Sequence, residues 1–477
     1  MFSLFAAALS ACANTYVVTT TADSGAGSLR AAIKQANGHA NAGGPDVIHF
    51  NIPGTGVHRI SPVDPLPAIV QPLILDGYSQ PGASENTETK GDNAVLLIEL
   101  NGALRTKFRG LKVFADHVTV RGLVINEFDQ GLYASGNGDV IEGNFIGTNA
   151  SGTQALPNNE GIGLASGTVT LGGSAPASRN IVSGNTNTGI SIDYGTHTLQ
   201  GNFIGVDASG ATALGNGTQD QAGDGILVDQ AGNAVIGGTT AGTGNVISGN
   251  HGSAILISYS GQGTGGIVEI LGNRIGVSAA GTNPVPNDTG IYMKSPGEEP
   301  TVVRVGIMLD GTTPVRVPNT IAFNVGAGIR VDQGTVTITR NAIYGNKGLG
   351  IDLGGDGVTP NDQGDGDDGA NGLQNFPLLT SATVSQRKVT IAGSFNSKPN
   401  KSYRIEFFGS GSKDGSGYGE GRWLLGATNV TTNGAGNATI NSSFQFTAVG
   451  SSWVTATATD ASGSTSEFSR AVILAKP

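Results

Sequence analysis

A single cysteine, Cys12, stands in 477 residues, so no internal disulfide holds the fold together. Long apolar runs are missing too. No stretch of about 18 or more apolar residues occurs, which excludes a membrane-spanning helix. Charged residues make up only 13% of the chain, too few for long solvated helices or for a disordered polymer. Lysine and arginine number 26 against 36 acidic residues, a net charge of −10. No clustered basic face is legible, so nucleic acid is excluded as a partner. The acidic balance leaves cations and neutral or cationic glycans open. It does not exclude an anionic polysaccharide held by a local basic patch or a bound metal.

What is abundant is glycine, 77 of 477 residues, about twice the usual share. With no collagen period, that glycine serves turns. At the start, Leu9-Ser10-Ala11-Cys12 follows a short apolar run and resembles a bacterial lipobox, although the usual basic region before it is missing. Ala11-Cys12-Ala13 reads alternatively as a cleavage site. Residues 1–13 are therefore expected to be an export signal or lipobox segment, with Cys12 as the lipidation site. The protein is then expected to be secreted or at the cell surface, touching a membrane only through that anchor.

One helix is legible. Leu29, Ala32, Ile33 and Ala36 fall on one helical face with Ser28 as N-cap, and a short amphipathic helix within residues 21–40 is what covers the open end of a solenoid. From about residue 120 the chain repeats itself. Gly143-Asn144-Phe145-Ile146-Gly147 returns as Gly201-Asn202-Phe203-Ile204-Gly205 and as Gly272-Asn273-Arg274-Ile275-Gly276. Asn180-Ile181-Val182-Ser183-Gly184-Asn185 returns at 245–250 and, loosely, at 319–324. A third unit is Gly-Ile-x-aliphatic, at 161–164, 189–192, 225–228, 290–293 and 328–331. Strands this short cannot bury their own apolar face, but stacked coils can. The spacing predicts a right-handed parallel β-helix over residues 14–376. Asn144, Asn185, Asn202, Asn250, Asn273, Asn324 and Asn341 are expected to form one stacked ladder. Three insertions, 148–160, 206–224 and 277–289, occupy the same place in the repeat and are expected to stack as a groove wall. An acidic segment, 348–376, closes the helix. Alternating strands over 377–477 predict an immunoglobulin- or fibronectin-like β-sandwich.

The repeats resemble the pectate-lyase-like right-handed β-helix superfamily. More closely, they resemble bacterial envelope proteins that join a Ser-Leu-Arg-Ala-Ala-Ile cap (28–33), Gly-Asn-x-Ile-Gly coils, a Gly-Ile-Asp-Leu-Gly-Gly-Asp-Gly closing segment (350–357) and a terminal immunoglobulin-like domain. The resemblance spans roughly residues 15–470. It implies the fold. It does not imply one activity, because the fold hosts pectin and alginate lyases, glycoside hydrolases, tailspikes and adhesins. The Asn-Thr-Asp plus Gly-His-Gly pair of polygalacturonases is absent, and the arginine base motif of pectate lyases has no counterpart, which argues against those two activities.

Chemistry is expected just after the Gly-Ile-x-aliphatic unit. If Ile190 and Ile192 point inward, Asp193 points outward, and the same register places Asp229, Ser258, Lys294, Asp332 and Asp352 on successive coils. Asp193 and Asp229, one strand spacing apart, suit the paired carboxylates of a glycosidase or a shared cation. Lys294, beside such acids, suits the base of a polysaccharide lyase. Asp193, Asp229, Lys294 and Asp332 are the candidate catalytic residues. Tyr133, Tyr194, Tyr259 and Tyr292 recur near strand ends and can stack on sugar rings; Tyr344 extends the series. His197 and His251 lie near the same row. Asp352, Asp356, Asp362, Asp365, Asp367 and Asp368 form a candidate Ca²⁺ site. The expected partner is a polysaccharide or cell-surface glycan. It would be cleaved by a lyase or glycoside hydrolase in a groove along the helix, or bound without catalysis by an adhesive or structural envelope protein. Solvated strand ends and a merely solvated acidic linker remain the bland alternatives.

Overall fold

The computed structural model describes residues 13–41, 43–102, 108–230, 232–259, 265–295, 301–448 and 450–476. Cys12 and the residues before it lie outside them. Three long parallel sheets form the body: sheet I with eleven strands, sheet II with ten and sheet III with nine. Sheet I runs from Thr15–Val18 to Val336–Ile338, sheet II from His58–Ile60 to Ala342–Tyr344, and sheet III from Arg109–Val113 to Ile351–Leu353. Each full coil visits the sheets in that order, as in Thr168–Gly172, Ile181–Val182 and Ile190–Ile192. This is a parallel β-helix.

Register is set by the inward aliphatic column. In sheet III, Ile162, Ile190, Ile226, Ile255, Ile291, Ile329 and Ile351 pair in succession, and none is more than 1% exposed. Burying each is worth about 2–3 kcal/mol, and a slip of one residue would turn the whole column to solvent. At the first coil, α1 (Leu29–Asn37) lays Leu29, Ala32, Ile33 and Ala36 onto this core, and the Ser28 hydroxyl accepts from the Ala31 N–H at 3.2 Å.

The expected single asparagine ladder is in fact two, because equivalent turns follow both sheet I and sheet II. In the first, Nδ2 of each residue donates to Oδ1 of the next through Asn144, Asn180, Asn202, Asn245, Asn273, Asn319 and Asn341, at 2.8–3.1 Å. In the second the sequence is Asn158, Asn185, Asn216, Asn250, Asn287, Asn324 and Asn346, again at 2.8–3.1 Å. Buried amides of this kind must be paired, and each rung also takes a backbone N–H from the coil before it.

The insertions do stack: the Ala208 N–H donates to the Gly152 carbonyl at 2.9 Å and the Ala279 N–H to Gly210 at 2.7 Å. They fold down over sheet II, where Val206, Ala208, Ala279 and Val285 join the outward Phe145 and Phe203 in a satellite core. The first of them, through Asn149, Ala150, Ser151 and Leu156, also walls a cleft with Val57, Arg59 and Leu96.

The C-terminal unit is a seven-stranded mixed sheet rolled into a sandwich close to a barrel. Its last strand, Val472–Ala475, pairs with both leaves: parallel to Leu378–Ser385 and antiparallel to Trp453–Thr459. The unit also closes the helix. Phe408 and Phe468 enter the helix core, and three buried glutamates meet the ends of the three sheets. Glu406 accepts from the Thr339 hydroxyl and the Arg340 N–H after sheet I, both at 2.8 Å. Glu420 accepts from the N–H and the Nδ2 of Asn346 after sheet II, both at 2.9 Å, so it terminates the second ladder. Glu467 accepts from the Leu353 and Thr359 N–H groups after sheet III, both at 3.0 Å. These carboxylates satisfy backbone donors that the final coil would otherwise leave unpaired.

Candidate functional site

The insertions cover the middle coils of sheet II, whereas on sheet III the outward residues other than Gly163 are partly exposed. The outward column of sheet III is read from the register: Lys112, Tyr133, Gly163, Ser191, Leu227, Leu256, Tyr292, Arg330 and Asp352. Asp352 therefore pairs with Arg330, two residues before the position of Asp193, Asp229 and Asp332. It does not belong to that row. A second departure lies at Lys294. The sheet bulges between Ile257 and Ser258, and Ser258 pairs with Ser295, so Lys294 is the additional residue of the bulge, with its side chain exposed.

Asp193 and Asp229 follow the paired Ile192 and Val228, and the Asp229 N–H donates to the Ile192 carbonyl at 2.8 Å. Burial, reinforced by the Asp229 charge, holds the Asp193 carboxyl above the usual range. A third carboxylate, Glu160, joins them. It accepts from Gln130 Nε2 at 2.8 Å and from the Ser191 hydroxyl. Burial raises its pKa, the two hydrogen bonds oppose this, and the Asp193 charge adds to the rise. The bareness of Gly163 makes the arrangement possible, since Gln130 Nε2 lies where a Cβ at 163 would stand. Arg109 completes the cluster. It lies 3.9 Å over the Tyr133 ring, and its charge acts on both Glu160 and Asp193. Tyr194, 47% exposed, donates its hydroxyl to Gln230 Oε1 at 3.0 Å. Glu160 was missed in the sequence although a signal existed. It stands immediately before Gly161-Ile162, as Asp224 stands before Gly225-Ile226.

Asp332 behaves differently. It takes two bonds from Arg330, at 2.7 and 3.0 Å, and one from the Tyr292 hydroxyl at 2.6 Å. Burial pushes its carboxyl up, but these bonds outweigh it and hold the pKa below the usual range. Asp332 is thus fixed as an anion by its own neighbours. Lys294 exerts its charge on Asp332 and on Asp224, whose carboxyl burial raises.

Four sugar-contact candidates do not stand on the face. Tyr259 is 7% exposed, packs in the helix core, and donates to the Gly232 carbonyl at 3.1 Å. His197 is fully buried on the inner side of sheet I. Its Nδ1 accepts from the Val169 N–H at 3.2 Å, Nε2 lies 2.7 Å from the Tyr194 carbonyl, and burial lowers its pKa. Both are packing residues. Tyr344 lies on sheet II, edge-on to Phe323. His251 is an exposed turn residue between sheets II and III.

The six aspartates proposed as one metal cluster divide. Asp352 lies on sheet III with the Asp356 charge acting on it. Asp362, Asp365 and Asp367 converge, each offering a carboxylate oxygen within 4.8 Å of the others. Asp365 accepts from the Asn375 N–H at 2.8 Å and the Ser397 hydroxyl at 2.6 Å, and Asp362 from the Gly366 N–H at 3.0 Å. Oδ1 of Asp367 is buried with no hydrogen-bond donor among the described residues. Asp368 stands beside the triad, exposed, and adds its charge to Asp367. Three hard oxygens around one point suit a divalent cation.

No family model matches the chain. Among solved structures, an alginate lyase from Paenibacillus sp. str. FPU-7 aligns over 71% of this chain and 99% of that one, at 14% identity and a TM-score of 0.30.

Proposed function

We propose that the protein binds and hydrolyses a polysaccharide on the outer face of sheet III, with Glu160, Asp193 and Asp229 as the reacting carboxylates. The observation that carries this reading is their grouping on this face: Asp193 and Asp229 follow paired residues of neighbouring coils, the Asp193 charge acts on Glu160 and the Asp229 charge on Asp193, and burial with these charges raises Glu160 and Asp193. Glycoside hydrolysis needs one protonated and one ionised carboxyl about the scissile bond, and adjacent acids, two of them held above the usual carboxylate range, favour one keeping its proton while another is ionised. Tyr133 and Tyr194 offer rings for sugar stacking. Asp332, held as an anion by Arg330 and Tyr292, serves binding. Elimination with Lys294 as base is the weaker reading, because its charge acts on Asp224 and Asp332, not on the Glu160–Asp193 cluster.

Incubation with a panel of polysaccharides, following reducing ends together with the ultraviolet absorbance of unsaturated uronates, tests this. Reducing ends without absorbance are expected, falling at least about 100-fold in Asp193→Asn and Glu160→Gln. Absorbance would mean elimination and refute the assignment. Silence across the panel would leave the second reading, a non-catalytic glycan-binding or adhesive protein, which the outward, partly exposed apolar pair Leu227 and Leu256 favours.

Two further assignments belong to this proposal. The Asp362–Asp365–Asp367 triad binds Ca²⁺ and so ties the closing segment to the sandwich. The protein acts outside the cytoplasm, tethered through Cys12; Cys12→Ala would move it from the membrane fraction to the medium, and an unchanged distribution would refute the tether.

A further inference from the structure

Beyond sheet III, the structure gathers positive charge where the last coil meets the sandwich. A cleft there is lined by Pro318, Arg340 and Ala342 from the helix and by Arg422, Trp423 and Ala448 from the sandwich. Its geometry is pinned by a two-bond bridge between Ile343 and Gly421, at 2.8 and 2.9 Å. That bridge delivers the next residue, Arg422, onto two rings: its guanidinium lies 4.5 Å from the Tyr344 centroid and 4.8 Å from that of Trp423. Behind Arg340 stand two more arginines. Burial, then the charges of Arg404 and Arg340, lower the pKa of Arg316, and Arg316 Nε is buried without a hydrogen-bond acceptor among the described residues. Glu406 faces this group but is already occupied by Arg404, the Thr339 hydroxyl and the Arg340 N–H. Among the described residues, neither the Arg340 nor the Arg422 side chain has a carboxylate at ion-pair distance.

In a chain of net charge −10, guanidiniums without a carboxylate partner among the described residues, beside an indole, describe a ligand that is anionic at one end and apolar on one face. Guanidinium recognises carboxylate through paired hydrogen bonds, and an indole stacks on the C–H face of a sugar ring. We infer that this cleft binds a uronic acid residue of an acidic polysaccharide, its carboxylate on Arg422 and Arg340 and its ring against Trp423. Arg422 is held by two aromatic rings before any ligand arrives, so little side-chain freedom remains to be lost on binding. The site is separate from the carboxylates of sheet III and does not depend on their chemistry.

The chain has two tryptophans, Trp423 and Trp453, so Trp453→Phe leaves Trp423 as the sole indole reporter. Its fluorescence would be titrated at low salt with an oligomer of galacturonic acid, with the methyl ester of that oligomer, and with inorganic phosphate. A saturable change with the acid oligomer is expected, absent with the ester and weakened by added salt. Arg422→Gln and Arg340→Gln should each weaken binding about tenfold, and Arg422→Lys, which keeps the charge without the fork, by less. No response, an equal response to the ester, equal affinity for phosphate, or full affinity in both glutamine variants would each overturn the inference. The unsubstituted chain, read in the same titrations, keeps the test open if Trp453→Phe does not fold. Polysaccharide cleavage plays no part in this readout, so either reading can fail alone.

Discussion

Asn202→Ala removes a central rung of the first ladder, and its cost can be worked from the bonds. Asn202 is fully buried. Its Oδ1 accepts from the Asn180 N–H at 3.2 Å and Nδ2 at 2.9 Å, and its own Nδ2 donates to the Leu171 carbonyl at 2.9 Å and to Asn245 Oδ1 at 3.0 Å. Truncation strands two donors of Asn180, while Asn245 Oδ1 keeps the bond from the Asn202 N–H at 3.0 Å. Two stranded buried donors at about 1–3 kcal/mol each predict a loss of about 2–6 kcal/mol. Denaturant midpoints read the total. Native-state hydrogen exchange reads the place: protection should fall around residues 180–182, 202–204 and 245–247 and persist in the sandwich. Asn159→Ala, an exposed asparagine with a single 3.3 Å side-chain bond, should cost less than about 0.5 kcal/mol. A loss below about 1 kcal/mol for Asn202→Ala, with protection unchanged, would refute the view that the ladder holds the coils together.

Two other predictions concern the closing end. Burial pushes the Glu467 carboxyl from 4.5 to about 7, so between those values the folded chain keeps a proton that the unfolded chain has released. Stability from this group is complete below pH 4.5 and is lost as pH rises to about 7, a fall of order 3 kcal/mol; thermal melts across that window should show it in the native chain and not in Glu467→Gln. Ca²⁺ at the Asp362–Asp365–Asp367 triad should raise the melting temperature, chelator should reverse the rise, and Asp365→Asn should abolish it; a calcium-independent melt would exclude the metal.

The fold was legible because its signal is repetition. Gly-Asn-x-Ile-Gly and Gly-Ile-x-aliphatic both recur, and each maps to one edge of the coil. The capping helix was legible from Ser28 and a four-residue apolar stripe. Failures arose where distance from a repeat had to be counted through a turn. Asp352 was placed two residues out of register, because the closing segment has no Gly-Ile-x-aliphatic followed by an acid. Tyr259 and His197 were expected at the surface by nearness to strand ends, yet both turn inward where the chain rounds from sheet III to sheet I. Two ladders were read as one because equivalent turns follow sheets I and II, and a chain position alone does not say which turn an asparagine occupies. The cleft around Arg422 was invisible for a further reason: Arg340 and Arg422 are 82 positions apart and meet only through the Ile343–Gly421 bridge.

Each asparagine rung offers the next coil the same donors and acceptors that it took from the previous one. From Asn144 to Asn346 the interface between neighbouring coils thus repeats the same pairing, while the coils next to α1 and the end at Glu406, Glu420 and Glu467 are built differently. A whole coil gained or lost by duplication or deletion in the middle would leave both ends untouched. The outer face of sheet III would then lengthen or shorten in steps of about 4.8 Å, so its span can drift over generations while the terminal locks stay the same.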